Sequence, residues 1–322
     1  MKAIVHTRYG SPDVLQLTEV AKPVPRGTEV LIKICATTVN RTDCGILRPV
    51  PQFARLLTGL FKPKWTILGC EFAGQIESIG DGVTKFAVGD RVFGFSGDTF
   101  GTHAEYVVMP EEGTLALMPE RLTYEQAAPS LEGSHYALCD IRAAGIQKGQ
   151  KVLIYGATGA IGSAAVQIVK HIGAYVTAVC GTENVSLVRS LGADKVVDFE
   201  REDFTKDDQL YDVVFDAVGK STFGKCKPLL RPGGIYLSTD LGPGAQNPFL
   251  ALITPIFGKK RVLFPLPTIN KSDVEFIKTL LESGEFKPVI DRCYPLDRVA
   301  DAFRYVETGQ KKGNVVIEVA RS

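Results

Sequence analysis

The sequence predicts an α/β chain in two parts, an all-β barrel-like part followed by a doubly wound parallel sheet, and three observations carry this. Up to about residue 120, short β-branched runs are separated by Gly, Pro and Asp, as in strands joined by turns. From about Thr123 the pattern becomes helix, strand, helix, strand, the signature of a parallel sheet with helices on its faces. A length of 322 residues also exceeds what one hydrophobic core usually serves. The expected division is 1–122 for the first part, 123–265 for the second, and a return segment, 266–322, that folds back onto the first.

In the first part, Glu29 to Cys35, Gly74 to Ile79 and Asp90 to Gly94 read as strands. Between them, Pro49 to Phe61 carries a short amphipathic pattern in a long connection, either a lid or a surface loop with one buried face. In the second part, the apolar run from Val152 turns through Gly156, Gly159 and Gly162 directly into a helix-forming segment that reaches Lys170, and Ala174 to Cys180 is the next strand. Tyr211–Asp216, Gly234–Thr239 and Arg261–Phe264 continue the series. The tail alternates a helix from Lys271 to Ser283, a strand at Pro288 to Ile290, a helix from Leu296 and a final strand from Asn314 to Val319.

Three glycines between a strand and a helix are built to hold a dinucleotide's pyrophosphate. Gly156 permits the tight exit from the strand, Gly159 removes a side chain that would block the phosphates, and Gly162 lets the helix pack closely. The helix then opens with free N–H groups facing an anion. An NAD-preferring site usually places Asp or Glu at the end of the second strand, but here the residues are Cys180-Gly181-Thr182, and the first acid is Glu183. A loop of Gly181, Thr182 and Asn184 offers hydroxyl, amide and backbone donors to a 2′-phosphate, so NADPH is the expected cofactor. Arg189, on the following helix, is either a further contact or a solvated charge.

A net charge of +1 and scattered basic residues, with only short clusters such as Lys259-Lys260-Arg261, exclude a nucleic-acid footprint. Apolar segments are interrupted well before about eighteen residues, and Met1 leads straight into a strand-like pattern, so neither a membrane span nor a signal peptide is expected. A cytoplasmic enzyme is the simplest placement. The seven cysteines are spread apart, mostly inside apolar runs, as reduced thiols used as small hydrophobes, and no Cys-x-x-Cys pair suggests a structural zinc lobe.

Several motifs resemble the medium-chain dehydrogenase/reductase superfamily over essentially the whole chain, and within it the zinc-independent quinone oxidoreductase branch that includes zeta-crystallin. They are Val39-Asn-Arg-Thr-Asp43, Gly69-Cys-Glu-Phe-Ala-Gly74, Val88-Gly-Asp-Arg-Val92, the glycine turn, Leu191-Gly-Ala-Asp194, Ser283-Gly-Glu-Phe-Lys-Pro-Val-Ile290, and Ala302-Phe303 with Gly309 and Lys312-Gly-Asn-Val-Val316. The resemblance implies a GroES-like catalytic domain, a Rossmann domain, hydride transfer from NADPH in the cleft between them, and a homodimer. At the superfamily's zinc-ligand positions, Asn40 stands where the zinc branch has Cys and Cys70 where it has His. An amide is a poor zinc ligand. Cys70, Glu71, Glu132 and His135 would together make only an unusual site, and no catalytic metal is expected.

By the resemblance, Asn40 donates through its amide to the substrate oxygen, and Asp43 either orients Asn40, binds a proton-returning water, or simply caps a helix. Ser134 meets the nicotinamide ribose or ring, Thr158, Ala160 and Ile161 lie on the phosphate turn, and Val218 and Gly219 pass the nicotinamide ribose. Leu241 and Gly242 follow the next strand, at the sheet edge where ligands collect. Asn314 replaces the branch's Lys and would contact the cofactor through its amide. A quinone or α,β-unsaturated carbonyl is the expected substrate, since its charge spreads into a quinol or enolate and needs no Lewis acid. Two other classes stay open: a zinc alcohol dehydrogenase and a non-enzymatic NADPH-binding sensor.

Overall fold

The structure is a computed structural model that describes residues 1–49 and 55–320, with only the backbone at Phe257. It divides into two compact units: Met1–Glu132 with Asn270–Ser283 and Lys287–Ser322, and Gly133–Ile269 with Gly284–Phe286.

The first unit begins with β1 (Lys2–Val5), β2 (Gln16–Glu19), β3 (Glu29–Val39), α1 (Arg41–Leu47), α2 (Arg55–Thr58), β4 (Glu71–Ile79), β5 (Arg91–Phe95), β6 (Tyr106–Pro110), β7 (Leu115–Leu117) and α3 (Tyr124–Ala127). The eleven-residue β3 is its spine, rich in β-branched residues and buried along almost its whole length. It pairs antiparallel with β6 over Glu29–Lys33 and with β4 from Val30 to Thr37. Of the amphipathic stretch expected between Pro49 and Phe61, residues 50–54 lie outside the described residues. Beyond them, Leu56, Leu57, Leu60 and Phe61 point outward, Phe61 at 90% exposure, so the described part of the stretch buries no apolar face.

The second unit contains α4 (Glu132–Ala144) after its first residue, then β8 (Lys151–Tyr155), α5 (Ala160–Ile172), β9 (Tyr175–Cys180), α6 (Val185–Ser190), β10 (Lys195–Asp198), β11 (Tyr211–Asp216), α7 (Phe223–Cys226), β12 (Leu230–Ser238), α8 (Gln246–Phe257) and β13 (Arg261–Leu263). All six strands are parallel, in the order β10-β9-β8-β11-β12-β13. Val152, Leu153 and Ile154 are fully buried, as befits a parallel strand covered on both faces. The order reverses between β8 and β11, and the crevice beyond their carboxyl ends is where open α/β sheets bind ligands. β10 has no counterpart among the expected strands; its four residues, Lys195-Val-Val-Asp198, carry too short a pattern to read.

The chain returns to the first unit with α9 (Lys271–Ser283), β14 (Ile290–Pro295), α10 (Val299–Glu307) and β15 (Asn314–Glu318). β15 pairs with β3 over Ala36–Val39, completing a seven-stranded sheet in which β14-β15-β3-β4-β5-β7 are successive neighbours and β6 joins β3. Val39, Leu47, Leu68, Phe303, Val315 and Ile317 form a core beneath this junction. The first unit runs to Glu132 rather than the expected 122, because α3 packs on β3 and β4 and the N–H groups of Leu131 and Glu132 bind Glu71. The return begins at Asn270 rather than 266, and the second unit keeps Gly284–Phe286 from within the expected return segment.

Candidate active site

In the first unit, β3 ends at Val39 and α1 begins at Arg41, so Asn40 sits at the junction, where its extended backbone caps the helix. The Asn40 N–H donates to Asp43 Oδ2 at 2.8 Å, and the Gly69 N–H donates to Asp43 Oδ1 at 2.9 Å. Asp43 is fully buried and ties the start of α1 to the turn that precedes β4. Burial pushes its carboxyl up to about 6, against the pull of these N–H donors. Gly69 has φ +85°, and a Cβ there would run into His103 N at 2.8 Å, so the turn that delivers Cys70 and Glu71 requires glycine.

Asn40 Nδ2 has two hydrogens and three acceptors: Thr38 Oγ1 at 2.9 Å, Glu132 Oε2 at 3.0 Å and Glu71 Oε1 at 3.1 Å. Its hydrogens are directed into the protein, which corrects the expectation that this amide donates to a substrate oxygen. Asn40 instead holds two carboxyl groups together. Glu71 also accepts from Thr38 Oγ1 at 2.7 Å and from the N–H groups of Leu131 and Glu132 at 2.9 and 2.8 Å. The Cys70 thiol donates to Glu132 Oε2 at 2.6 Å. Burial, then the neighbouring carboxylate, pushes Glu71 up to about 8; burial and Asp43 push Glu132 up to about 7. Near neutral pH this pair therefore holds a proton.

Sequence reasoning missed Lys311 here. Its Nζ donates to Gly313 O at 2.5 Å, burial pulls its ammonium down, and Glu132 and Glu71 oppose that pull. The only signal was a doubled lysine before the last strand. His103 fills a packing role: it is fully buried, holds Thr38 O at 2.8 Å through Nε2, and is kept neutral by burial, its value lowered to about 4.

In the second unit, Gly156 has φ +80°, and a Cβ there would strike the Val218 side chain. At Gly162 a Cβ would meet Gly156 C at 2.9 Å and Ala157 Cα at 3.0 Å, so the helix packs directly on the turn. At Gly159, the N-cap of α5, a Cβ would find nothing closer than 3.9 Å. The space beside the first helical N–H groups is open, as a phosphate cradle requires. Thr158, Ala160 and Ile161 lie on this turn and the first residues of α5. Gly133 presses on Ala160 so closely that a Cβ would sit 2.6 Å from its carbonyl oxygen, which brings the next residue, Ser134, beside the turn.

After β9 the chain forms the Gly181-Thr182-Glu183-Asn184 loop, and β10 alters its chemistry. Asp198 is the register partner of Cys180, and Thr182 Oγ1 donates to Asp198 Oδ2 at 2.6 Å. A Cβ on Gly181 would lie 2.5 Å from Glu200 Oε1. The end of β9 carries no acid of its own, as the sequence shows, but two carboxylates arrive from the neighbouring strand and its exit. Thr182 is correspondingly lost as a donor, its hydroxyl already committed.

Residues 26–120 match the family described as the alcohol dehydrogenase GroES-like domain, and residues 191–317 the one described as zinc-binding dehydrogenase. The chain is 35% identical to 2-methylene-furan-3-one reductase of Solanum lycopersicum, over 98% of its length and 79% of the relative's. It is 32% identical, over the same shares, to the chloroplastic NADPH-dependent alkenal/one oxidoreductase of Arabidopsis thaliana. The chain belongs to the medium-chain dehydrogenase/reductase superfamily. The solved quinone oxidoreductase of Coxiella burnetii aligns with a TM-score of 0.87 at 26% identity, covering 99% of both chains.

The zinc named in one of these superfamily descriptions calls for a test of the donor set. Asp43, Cys70 and Glu132 offer ligand atoms within 4.8 Å of one another, all from buried residues. Each Asp43 oxygen already accepts a backbone N–H, and the Cys70 thiol is turned to Glu132, donating to its Oε2 at 2.6 Å. Zinc is held by thiolate, neutral imidazole or carboxylate oxygen, but here both Asp43 oxygens and Glu132 Oε2 already accept hydrogen bonds, the histidine of a usual site is missing, and an amide NH2 points inward. This set does not fit the ion. A nicotinamide dinucleotide does fit the second unit, where Val218 and Gly219 leave β11 beside Gly156 at the reversal of strand order, and Leu241 and Gly242 follow β12. Asn314 lies in the first unit, on β15, where its amide donates to Val289 O at 3.1 Å.

Proposed function

We propose that the chain is a NAD(P)H-dependent oxidoreductase that reduces quinones or α,β-unsaturated carbonyls without a catalytic metal. The observation that carries this reading is the buried Asn40–Glu71–Glu132–Cys70 network, a set of proton donors and acceptors where a metal-dependent dehydrogenase needs ligands. Bound at the glycine turn, the reduced nicotinamide supplies a hydride. The chain's own part is to orient the acceptor, exclude water and hold a proton. Reduction of a conjugated carbonyl consumes one proton with each hydride, and the Glu71–Glu132 pair holds one near neutral pH. Asn40 and Asp43 act as positioning residues, the first on the two glutamates and the second on α1 and the Gly69 turn. The names of two relatives, a furanone reductase and an alkenal/one oxidoreductase, support a conjugated carbonyl as acceptor.

NADPH is carried forward as the proposed donor, as the sequence predicts and as the name of the alkenal/one oxidoreductase supports. Gly156 to Gly162 would hold the pyrophosphate, Gly181 and Asn184 the adenosine ribose, and Ser134, Val218, Gly219, Leu241 and Gly242 the nicotinamide end. We further propose a homodimer, with a second copy against the unpaired edge of β13 and the outward face of α8. A cytoplasmic setting is carried forward as a proposal; separately, no helix among the described residues is long and apolar enough to cross a membrane.

The test is oxidation of NADPH and NADH by purified, metal-analysed protein against quinones, enones and simple aldehydes. Turnover of the conjugated compounds without bound metal is expected. Stoichiometric zinc with alcohol or aldehyde turnover would overturn the reading toward a zinc alcohol dehydrogenase, and tight binding without turnover would overturn it toward a sensor.

A further inference from the structure

We infer that Glu200, delivered by the exit of β10, is a specificity determinant at the adenosine ribose that narrows the margin by which NADPH is preferred over NADH, its charge weakening the hold on a 2′-phosphate and its oxygens accepting from a 2′-hydroxyl. The inference rests on the reading that a nicotinamide dinucleotide binds at the glycine turn. In a fold of this strand order the loop after β9 is where the adenosine ribose is gripped, by an acid supplied from β9 itself. Here β9 ends in Cys180-Gly181 without one, and the neighbouring strand supplies it.

Two geometric observations place the carboxylate. A Cβ built on Gly181 would lie 2.5 Å from Glu200 Oε1, so the Glu200 side chain reaches over the loop's backbone and depends on the missing side chain at 181. The Cys180 thiol, held up at about 11 chiefly by burial, is raised further by Asp198 and Glu200, which marks both acids as converging on the end of β9. The two are not equivalent. Asp198 accepts from Thr182 Oγ1 at 2.6 Å and from the Glu200 N–H at 3.0 Å, and pairs with Arg201 Nε at 3.4 Å, so it is consumed in holding the loop together. The Glu200 carboxylate forms no hydrogen bond or ion pair among the described residues. It is exposed, charged and available.

Two arginines lie near it in the sequence. Arg201 is committed to Asp198. Arg189, near the end of α6, is exposed and is the remaining cation of that helix. A dianionic 2′-phosphate entering here meets the like charge of Glu200, while a ribose diol meets an acceptor with free lone pairs.

The experiment compares wild type with Glu200→Gln, which keeps the shape and removes only the charge at an exposed position. Dissociation constants for NADH and NADPH are measured by isothermal titration at low and high KCl. The expected result is NADPH binding strengthened about tenfold in the variant at low salt, NADH binding unchanged or weakened, and the difference between the two proteins reduced at high salt. The ratio of kcat/KM for NADPH to that for NADH should rise in parallel. A purely structural role would move both affinities the same way. An unchanged NADPH/NADH ratio in a variant that binds both overturns this inference alone, while failure of the wild type to bind either dinucleotide overturns the cofactor reading with it.

Discussion

The Asn40 side-chain amide donates to Glu132 Oε2 at 3.0 Å, joining residues 92 positions apart inside the first unit. Through Glu71 Oε1 and Thr38 Oγ1, the same nitrogen fastens the end of β3 to the start of β4. Replacing Asn40 by Ala leaves two buried carboxyl groups short of a donor. The expected cost is about 1–3 kcal/mol of stability, together with a fall in turnover. Asn40→Asp should do worse, since it adds a fourth acid to a site already holding Asp43, Glu71 and Glu132. Urea unfolding and steady-state rates check this, and an Ala variant with unchanged midpoint and turnover removes Asn40 from the network.

Gly159 and Gly162 separate binding from stability. Gly162→Ala places a methyl group against the backbone of Gly156 and Ala157, where nothing flexible can yield. It should lower the melting temperature and expression yield, with a loss on the order of 2 kcal/mol or more. At Gly159 the same methyl has room, so Gly159→Ala should keep the melting temperature within a degree or two while weakening dinucleotide binding at least tenfold by titration. Unchanged dinucleotide binding by a folded Gly159→Ala variant would mean the open space at Gly159 is not a phosphate cradle.

How much could be read in advance follows from where the information lies. The glycine turn was legible because its strand, glycines and helix are contiguous, and each glycine has a local steric reason. Asn40 and Asp43 were legible as a motif, but the direction of the Asn40 amide depends on Glu71 and Glu132, which tertiary structure alone brings together. The acids over the Gly181 loop were hidden for the same reason. Lys195–Asp198 is too short to show strand periodicity, and only its parallel register with β9 sets Asp198 opposite Cys180. Lys311 carried no readable signal, since a doubled lysine near a chain end usually marks solvent.

Among the described residues, Phe249, Leu252 and Ile256 of α8 are exposed at 62%, 73% and 72%, and β13 has no partner on its outer side. Open edges and apolar helix faces of this kind are covered in stable assemblies. Light scattering should give twice the 34.9 kDa chain mass. Leu252→Asp with Ile256→Asp should shift it to the monomer without unfolding the protein, because neither side chain is in the core. A wild-type monomer at micromolar concentration would remove the dimer.

Asp140, on α4, gives the clearest pH signature. It is 5% exposed, lines a cavity of about 60 Å³ with Tyr136, Cys139, Ser238 and Thr239, and forms no hydrogen bond or ion pair among the described residues. Burial alone pushes its carboxyl up to about 7. Because the folded value lies above the unfolded one, near 3.9, the folded state binds the proton more tightly. The contribution of Asp140 to stability is therefore highest below about pH 4, falls as pH rises from there through about 7, and is flat beyond. The loss is on the order of 2–4 kcal/mol. Asp140→Asn, which cannot ionise, should match the wild type near pH 4 and exceed it by about that amount at pH 8. Unfolding midpoints at pH 5, 6, 7 and 8 for both proteins decide the matter. Parallel curves would show that the cavity supplies a partner for the ionised carboxylate and that the group titrates near its ordinary value.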